Sequence, residues 1–300
     1  MRPRARAEAL RWRLRRPLRK TTFRVLQDTP GVTGKFFAID AGLETFALPM
    51  PARFGSGDDP ATMDVPPPEL WAGYGPDVAG YLSSGRADVE RMLALLGCDG
   101  WEVPGDYRVL DFGCAAGRMT RWIPPRSGRG QTWGVDISAA AIRWAAEHLS
   151  PPARFSTVTT LPHLPFPDGY FDVLLAGSVF THIADLEDTW LLELRRVLRP
   201  GGRAYFTVLD KHALELVVAA AGTNAAGANL GNAIVNSDEA TRLSKTDFAT
   251  FVLNRSLSAV NVFHDIRYVE NAWSRFYDIK AIEQEAYGYQ TAVVLENPSL

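Results

Sequence analysis

Cysteine is scarce in this chain: two among 300 residues, Cys98 and Cys114, far apart and without partner spacing. That excludes a disulfide framework and a cysteine-based zinc site, and it points to a reducing compartment, the cytoplasm. No metal-ligand set is expected. No apolar run reaches the ~18 residues that a bilayer-spanning helix needs. The basic N-terminus has no apolar run behind it, so a secretory signal is not expected either. Charge of one sign is also lacking. A net charge of −2 gives the chain as a whole no nucleic-acid footprint. There is no internal repeat. What is present, 46% hydrophobic and 22% charged residues, is ordinary for a globular protein with one large domain or two small ones.

The rest of the chain is organised around Tyr107–Gly117, which reads YRVLDFGCAAG. Val109, Leu110 and Phe112 predict a short buried strand. A loop of small residues follows, Gly113 to Gly117, then a helix-compatible run, Arg118 to Trp122. Strand, small-residue loop and helix in this order build a ligand crevice at the carboxyl edge of a doubly wound sheet. Small residues let backbone N–H groups approach a ligand. The pattern D-x-G-x-x-x-G is not the G-x-G-x-x-G that cradles a pyrophosphate. A carboxylate at the strand end, Asp111, suits a ligand carrying an ammonium and a sulfonium better than an anion.

On these residues the sequence resembles the class I S-adenosylmethionine-dependent methyltransferases, whose first motif has this form. The family usually has Gly where this chain has Ala115; the loop keeps its form if the backbone there has φ < 0. A second match runs from Leu164 to Val208, with LPFPDG, a strand at Tyr170–Gly177, a helix over Leu186–Leu198, then Pro200-Gly201-Gly202 and a fifth strand from Arg203. It resembles the type 11 methyltransferase pattern. The expected fold is therefore α/β, a doubly wound, seven-stranded, mostly parallel sheet with an N-terminal helical extension. The expected cofactor is S-adenosylmethionine.

The resemblance distributes the site residues. Asp111, Gly113, Cys114, Ala115 and Gly117 would hold the methionine part. A second strand, Gln131–Asp136, ends in an acid able to accept both ribose hydroxyls. Ile137 would pack on adenine, Thr160 stands where the family has an acid, and Leu161 would offer its backbone N–H to the ring. Ser178 would lie near the sulfonium. His182, just past the fourth strand, and His264, next to Asp265, are the candidate bases.

Flanking segments complete the plan. Residues 1–24 hold ten Arg or Lys and one Glu, with Leu10, Leu14 and Leu18 at helical spacing broken by Pro17. Residues 1–30 read as a basic arm, solvated or in weak contact with a membrane surface. Residues 31–99 are a lead-in and a helical cap, with Ser83-Ser84-Gly85 as a cap region and Trp71, Tyr74, Tyr81 and Arg86 as lid candidates. Residues 100–297 are the methyltransferase domain with a substrate-side insertion at about 211–265. Within that insertion Lys211–Ala221 and Ser237–Leu253 read as helices and Gly222–Asn236 as a loop. Two antiparallel strands, Phe276–Glu285 and Tyr289–Leu295, close the sheet. The aromatic residues Phe248, Phe251, Phe263, Tyr268, Trp273 and Phe276 read as core more than pocket. The expected reaction is methyl transfer to an oxygen, less so a nitrogen or carbon, of a small molecule or sugar, with no nucleic acid as partner. Alternatives are a non-catalytic cofactor-binding scaffold, an RNA methyltransferase using the arginine-rich arm, and, disfavoured by the loop spacing, a nicotinamide dehydrogenase.

Overall fold

The computed structural model describes residues 59–298 apart from 106, 124–129, 151, 237–249 and 254–259. The basic arm, much of the lead-in, Phe248 and most of the helix expected from Ser237 lie outside the described residues.

In chain order the described elements begin with helix α1 (Val78–Leu96), then strand β1 (Arg108–Phe112), β2 (Gln131–Asp136), α2 (Ala139–His148) and β3 (Arg154–Thr157). They continue with β4 (Phe171–Ala176), α3 (Glu187–Val197), β5 (Leu198–Val208), α4 (Lys211–Ala219), α5 (Ala228–Val235), β6 (Thr250–Leu253) and β7 (Asn261–His264). Helix α6 (Ile266–Trp273) and strands β8 (Asp278–Tyr287) and β9 (Gln290–Glu296) complete the set.

Seven strands form one sheet in the order β3-β2-β1-β4-β5-β9-β8. β1 to β5 run parallel; β9 is antiparallel to β5, and β8 to β9. The chain steps outward from β1 through β2 to β3, then returns to build the other half from β4. β1 and β4 are therefore the switch point, where the crevice of an open α/β sheet opens. Central strands are apolar because both faces are covered. Leu110, Leu174, Phe206 and Val293 pack with α3 and α6 in one cluster; Val109, Val173, Leu175 and Tyr205 pack with α1 in the other.

α1 starts where Asp77 accepts the Gly80 N–H at 2.7 Å. Tyr81, Gly85, Val89, Met92 and Leu96 line its buried face at helical spacing. Ser83-Ser84-Gly85 is therefore mid-helix, not a cap. A Cβ on Gly85 would stand 2.5 Å from the Arg118 carbonyl oxygen, so only glycine allows this close approach.

Other expectations also shift. Arg118–Trp122 forms turns and a 3-10 segment, Thr120–Trp122, in place of an α-helix. Leu186, with φ +64, opens α3, and β5 starts directly after it, with Pro200-Gly201-Gly202 inside the strand. Gly222–Asn236 contains α5 in place of a plain loop, and Thr250–Leu253 is strand β6, not a helix end. α4, α5, β6 and β7 share a small core of Leu209, Ala213, Val217, Ile234, Leu253 and Phe263. No helix among the described residues is long and apolar enough to cross a membrane.

Candidate functional site

The loop after β1 is fastened to β2. The Gly113 and Cys114 N–H groups both donate to the Val135 carbonyl, at 2.8 and 3.1 Å. Three of its residues have left-handed backbone: Gly113 at φ +82, Ala115 at +47 and Gly117 at +79. The expectation of φ < 0 at Ala115 is thus overturned. A residue with a Cβ costs about 1–2 kcal/mol in this region. Asp136 holds it there, since its Oδ2 accepts the Ala115 N–H at 2.8 Å while Oδ1 accepts the Ser138 N–H at 2.7 Å. One carboxylate at the end of β2 therefore fixes the loop and caps the approach to α2. Burial raises the Asp136 pKa.

Asp111 lies beneath this loop. It is wholly buried; its Oδ2 accepts the Thr120 hydroxyl at 2.6 Å, and its Oδ1 has no partner. Burial pushes its pKa up to about 6 and the Cys114 thiol well up.

A cavity of about 570 Å³ opens over the carboxyl ends of β1, β2 and β4. Gly113, Cys114 and Ala115 line it from the loop, and Asp136 and Ile137 from the end of β2. Thr160 contributes from the segment after β3, and Ser178 and His182 from that after β4. Four expected site residues are not in its wall. Asp111 is under the loop, because its strand position points it into the interior. Gly117 faces Leu149 and Phe155, where a Cβ would come within 2.6 Å of Leu149, so it serves packing. The Leu161 N–H, expected to meet adenine, donates to the Thr159 hydroxyl at 3.2 Å, and its side chain is exposed. His264 is wholly buried, its Nε2 2.9 Å from Glu187 Oε2, away from the wall. Glu187 would be raised by burial, but the hydrogen bond from His264 holds its pKa below the usual range.

Ser178 has φ +59 and is held by a closed hydrogen-bond set. Its N–H donates to Thr207 Oγ1 at 2.7 Å, Thr207 donates to Gln290 Oε1 at 2.7 Å, and Gln290 Nε2 donates to Ser178 Oγ at 2.9 Å. Beside it, the Nδ1 of His182 lies 2.6 Å from the Val260 carbonyl. A carbonyl only accepts, so a proton sits on Nδ1, and in the neutral form of the ring the lone pair is on Nε2.

The segment before α1 closes the cavity from the other side. Trp71 donates its indole N–H to the Pro66 carbonyl at 2.7 Å and stacks on Tyr81 at 5.2 Å. Trp71, Tyr74 and Tyr81 all line the cavity, as expected of lid residues; Arg86 instead pairs with Glu90 at 2.8 Å on the surface. Sequence reasoning missed Arg118, Val260 and Tyr287, which also line it. Arg118 follows the loop directly and could have been flagged by that position. Nothing local marks Tyr287, whose place depends on the β8–β9 pairing.

Residues 110–206 match the family model described as a methyltransferase domain. The chain carries a class I S-adenosylmethionine-dependent methyltransferase domain. Among curated proteins, a ubiquinone/menaquinone biosynthesis C-methyltransferase UbiE of Burkholderia multivorans is 33% identical over 111 residues, 36% of this chain and 45% of that protein. The methyltransferase GfsG of Streptomyces halstedii is 32% identical over 136 residues, 44% of this chain and 47% of that protein. The chain thus spans about half the length of the curated relatives it matches. Among solved structures, a protein of Pyrococcus horikoshii OT3 shares the fold, with TM-score 0.51, 22% identity, and coverage of 77% of this chain and 97% of that one. The methyltransferase domain places its small-residue loop, its second-strand acid and the end of β4 around a single cavity. Asp136 at the wall, beside the small residues 113–115 that also line the cavity, fits the cofactor of that family.

Proposed function

We propose that this chain is an S-adenosylmethionine-dependent methyltransferase acting on a small, largely apolar acceptor. The observation that carries this is the Asp136 carboxylate, set in the cavity wall by two backbone N–H groups beside the 113–115 loop. A carboxylate so held keeps lone pairs for two ribose hydroxyls, while Ile137 and Thr160 flank the adenine position. The bound cofactor supplies an electrophilic methyl group on a sulfonium, and no activation of that group is required of the protein. What the chain contributes is alignment and exclusion of water. Trp71, Tyr74 and Tyr81 line the cavity from α1 and the segment before, and Ser178 and His182 from the segment past β4.

His182 is the proposed base. With Nδ1 fixed on the Val260 carbonyl, Nε2 is the atom to take a proton from an acceptor hydroxyl or enol. The aromatic wall favours a flat acceptor over a sugar. An enol ionised this way can be methylated on oxygen, the favoured reading, or on its carbon. The second reading draws support from the curated C-methyltransferase relatives of quinone biosynthesis.

Calorimetric titration with S-adenosylmethionine and S-adenosylhomocysteine tests the cofactor site. Asp136→Ala is expected to weaken both about tenfold or more, roughly 1.4 kcal/mol; unchanged affinity removes the ribose role. For the base, His182→Ala is expected to lower turnover about a hundredfold at unchanged S-adenosylhomocysteine affinity. Full activity of that variant would return His182 to a structural part.

A further inference from the structure

Three residues from distant parts of the chain meet at the cavity edge: Tyr74 before α1, Arg118 after the loop, and Tyr287 at the end of β8. Arg118 is nearly buried and pairs with Asp88 at 2.7 Å. Its Nη2 donates to the Tyr287 hydroxyl oxygen at 2.6 Å, and that hydroxyl lies 3.0 Å from the Tyr74 hydroxyl. The guanidinium carbon also sits 3.9 Å from the centre of the Tyr74 ring.

The direction of this chain of bonds is fixed by chemistry. A guanidinium only donates, so the Tyr287 oxygen is the acceptor. Tyr287 is buried, and its proton finds the Tyr74 oxygen as acceptor. Were Tyr74 to donate to Tyr287 instead, the Tyr287 proton would be buried without a partner, which costs about 1–3 kcal/mol. The Tyr74 oxygen therefore accepts, and its own proton points elsewhere. Tyr74 is half-buried and lines the cavity. A cation over its ring face and a donor on its oxygen both strengthen that outgoing O–H as a donor to an anion.

We propose that the Tyr74 hydroxyl recognises the α-carboxylate of the cofactor's amino-acid part, with Arg118 acting through Tyr287 as a positioning residue. This rests on the cofactor reading above. Place decides for the carboxylate over the acceptor oxygen. Arg118 directly follows the 113–117 loop, and the Tyr287 ring packs 3.0 Å from where a Cβ on Gly177 would be, at the end of β4. The group is thus rooted beside the 113–117 loop and the end of β4, whereas His182 is fastened to Val260 from the segment before β7.

The test compares two ligands by calorimetry: S-adenosylhomocysteine, and 5′-methylthioadenosine, which has the nucleoside thioether without the amino acid. Tyr74→Phe keeps the ring and removes only the donor. It is expected to weaken S-adenosylhomocysteine about tenfold, as for a hydrogen bond to a charged group, and to leave methylthioadenosine within about twofold. Tyr287→Phe, which keeps the ring and interrupts the relay, is expected to lower the same selectivity ratio by a smaller factor. Equal loss for both ligands, or no loss for either, overturns the proposal while the cofactor site stands. Binding of neither ligand by the unaltered protein overturns the site itself and this proposal with it. A melting curve of each variant separates misfolding from selectivity, because a structural defect would not spare methylthioadenosine.

Discussion

Asp111 shows how a single buried group writes a pH dependence into the fold. In the unfolded chain its carboxyl ionises near 3.8; in the fold, burial holds the proton until about 6. A raised carboxylate pKa means that stability falls as pH rises through this window, and the penalty is complete above it. The rise from 3.8 to about 6 corresponds to about 3 kcal/mol. Asp111→Asn keeps an acceptor for the Thr120 hydroxyl and removes the charge. Its stability advantage over the unaltered protein is expected to be absent near pH 3.5, to grow between about 4 and 6, and to level off near 3 kcal/mol above that. Urea unfolding midpoints across this range measure it, and a pH-independent difference would refute it. At this scale the sequence was a partial guide. It located Asp136, Ile137, Thr160, Ser178 and His182, which all reach the cavity. It could not foresee that Asp111 points inward, that Ala115 accepts left-handed backbone, or that the Leu161 N–H has a local acceptor. Each of these depends on a neighbour's exact distance, which residue type does not encode.

Elements were legible where periodicity and length agreed. β1, β2 and β4 fall close to their expected places, because buried strands read as continuous apolar runs; the closing pair β8–β9 is legible instead from its alternation on either side of the turn at Gly288. α1 was misread at one point: a glycine after two serines looks like a helix boundary, whereas Gly85 is there to let Arg118 come near. Helix propensity alone favours Gly85→Ala by about 1 kcal/mol. The 2.5 Å approach to the Arg118 carbonyl opposes it and forces α1 away from the loop. Net destabilisation of about 1–3 kcal/mol is expected from such overpacking, read from the denaturant midpoint; a stabilised variant would show that α1 is not seated as described. α5 and β6 escaped notice for a different reason. Their sequences are short and weakly periodic, and only packing in the small core with α4 and β7 makes them regular.

For the whole molecule, the two motif matches, Tyr107–Gly117 and Leu164–Val208, carry β1, β4 and β5, and β1 and β4 are the switch point of the sheet. Other walls of the cavity come from the segment before α1, from β7's approach at Val260 and from Tyr287, parts joined only by tertiary contact. One further consequence lies in the far edge of the sheet. Among the described residues β8 has β9 as its sole neighbour, and β9 is hydrogen-bonded to both β5 and β8. The ribosome therefore delivers the edge strand before the strand that attaches it. β8 is tied to the rest of the sheet only through β9, which pairs with it and with β5. Since Tyr287 ends β8, its meeting with Arg118 and Tyr74 at the cavity depends on β9 having tied β8 to the sheet.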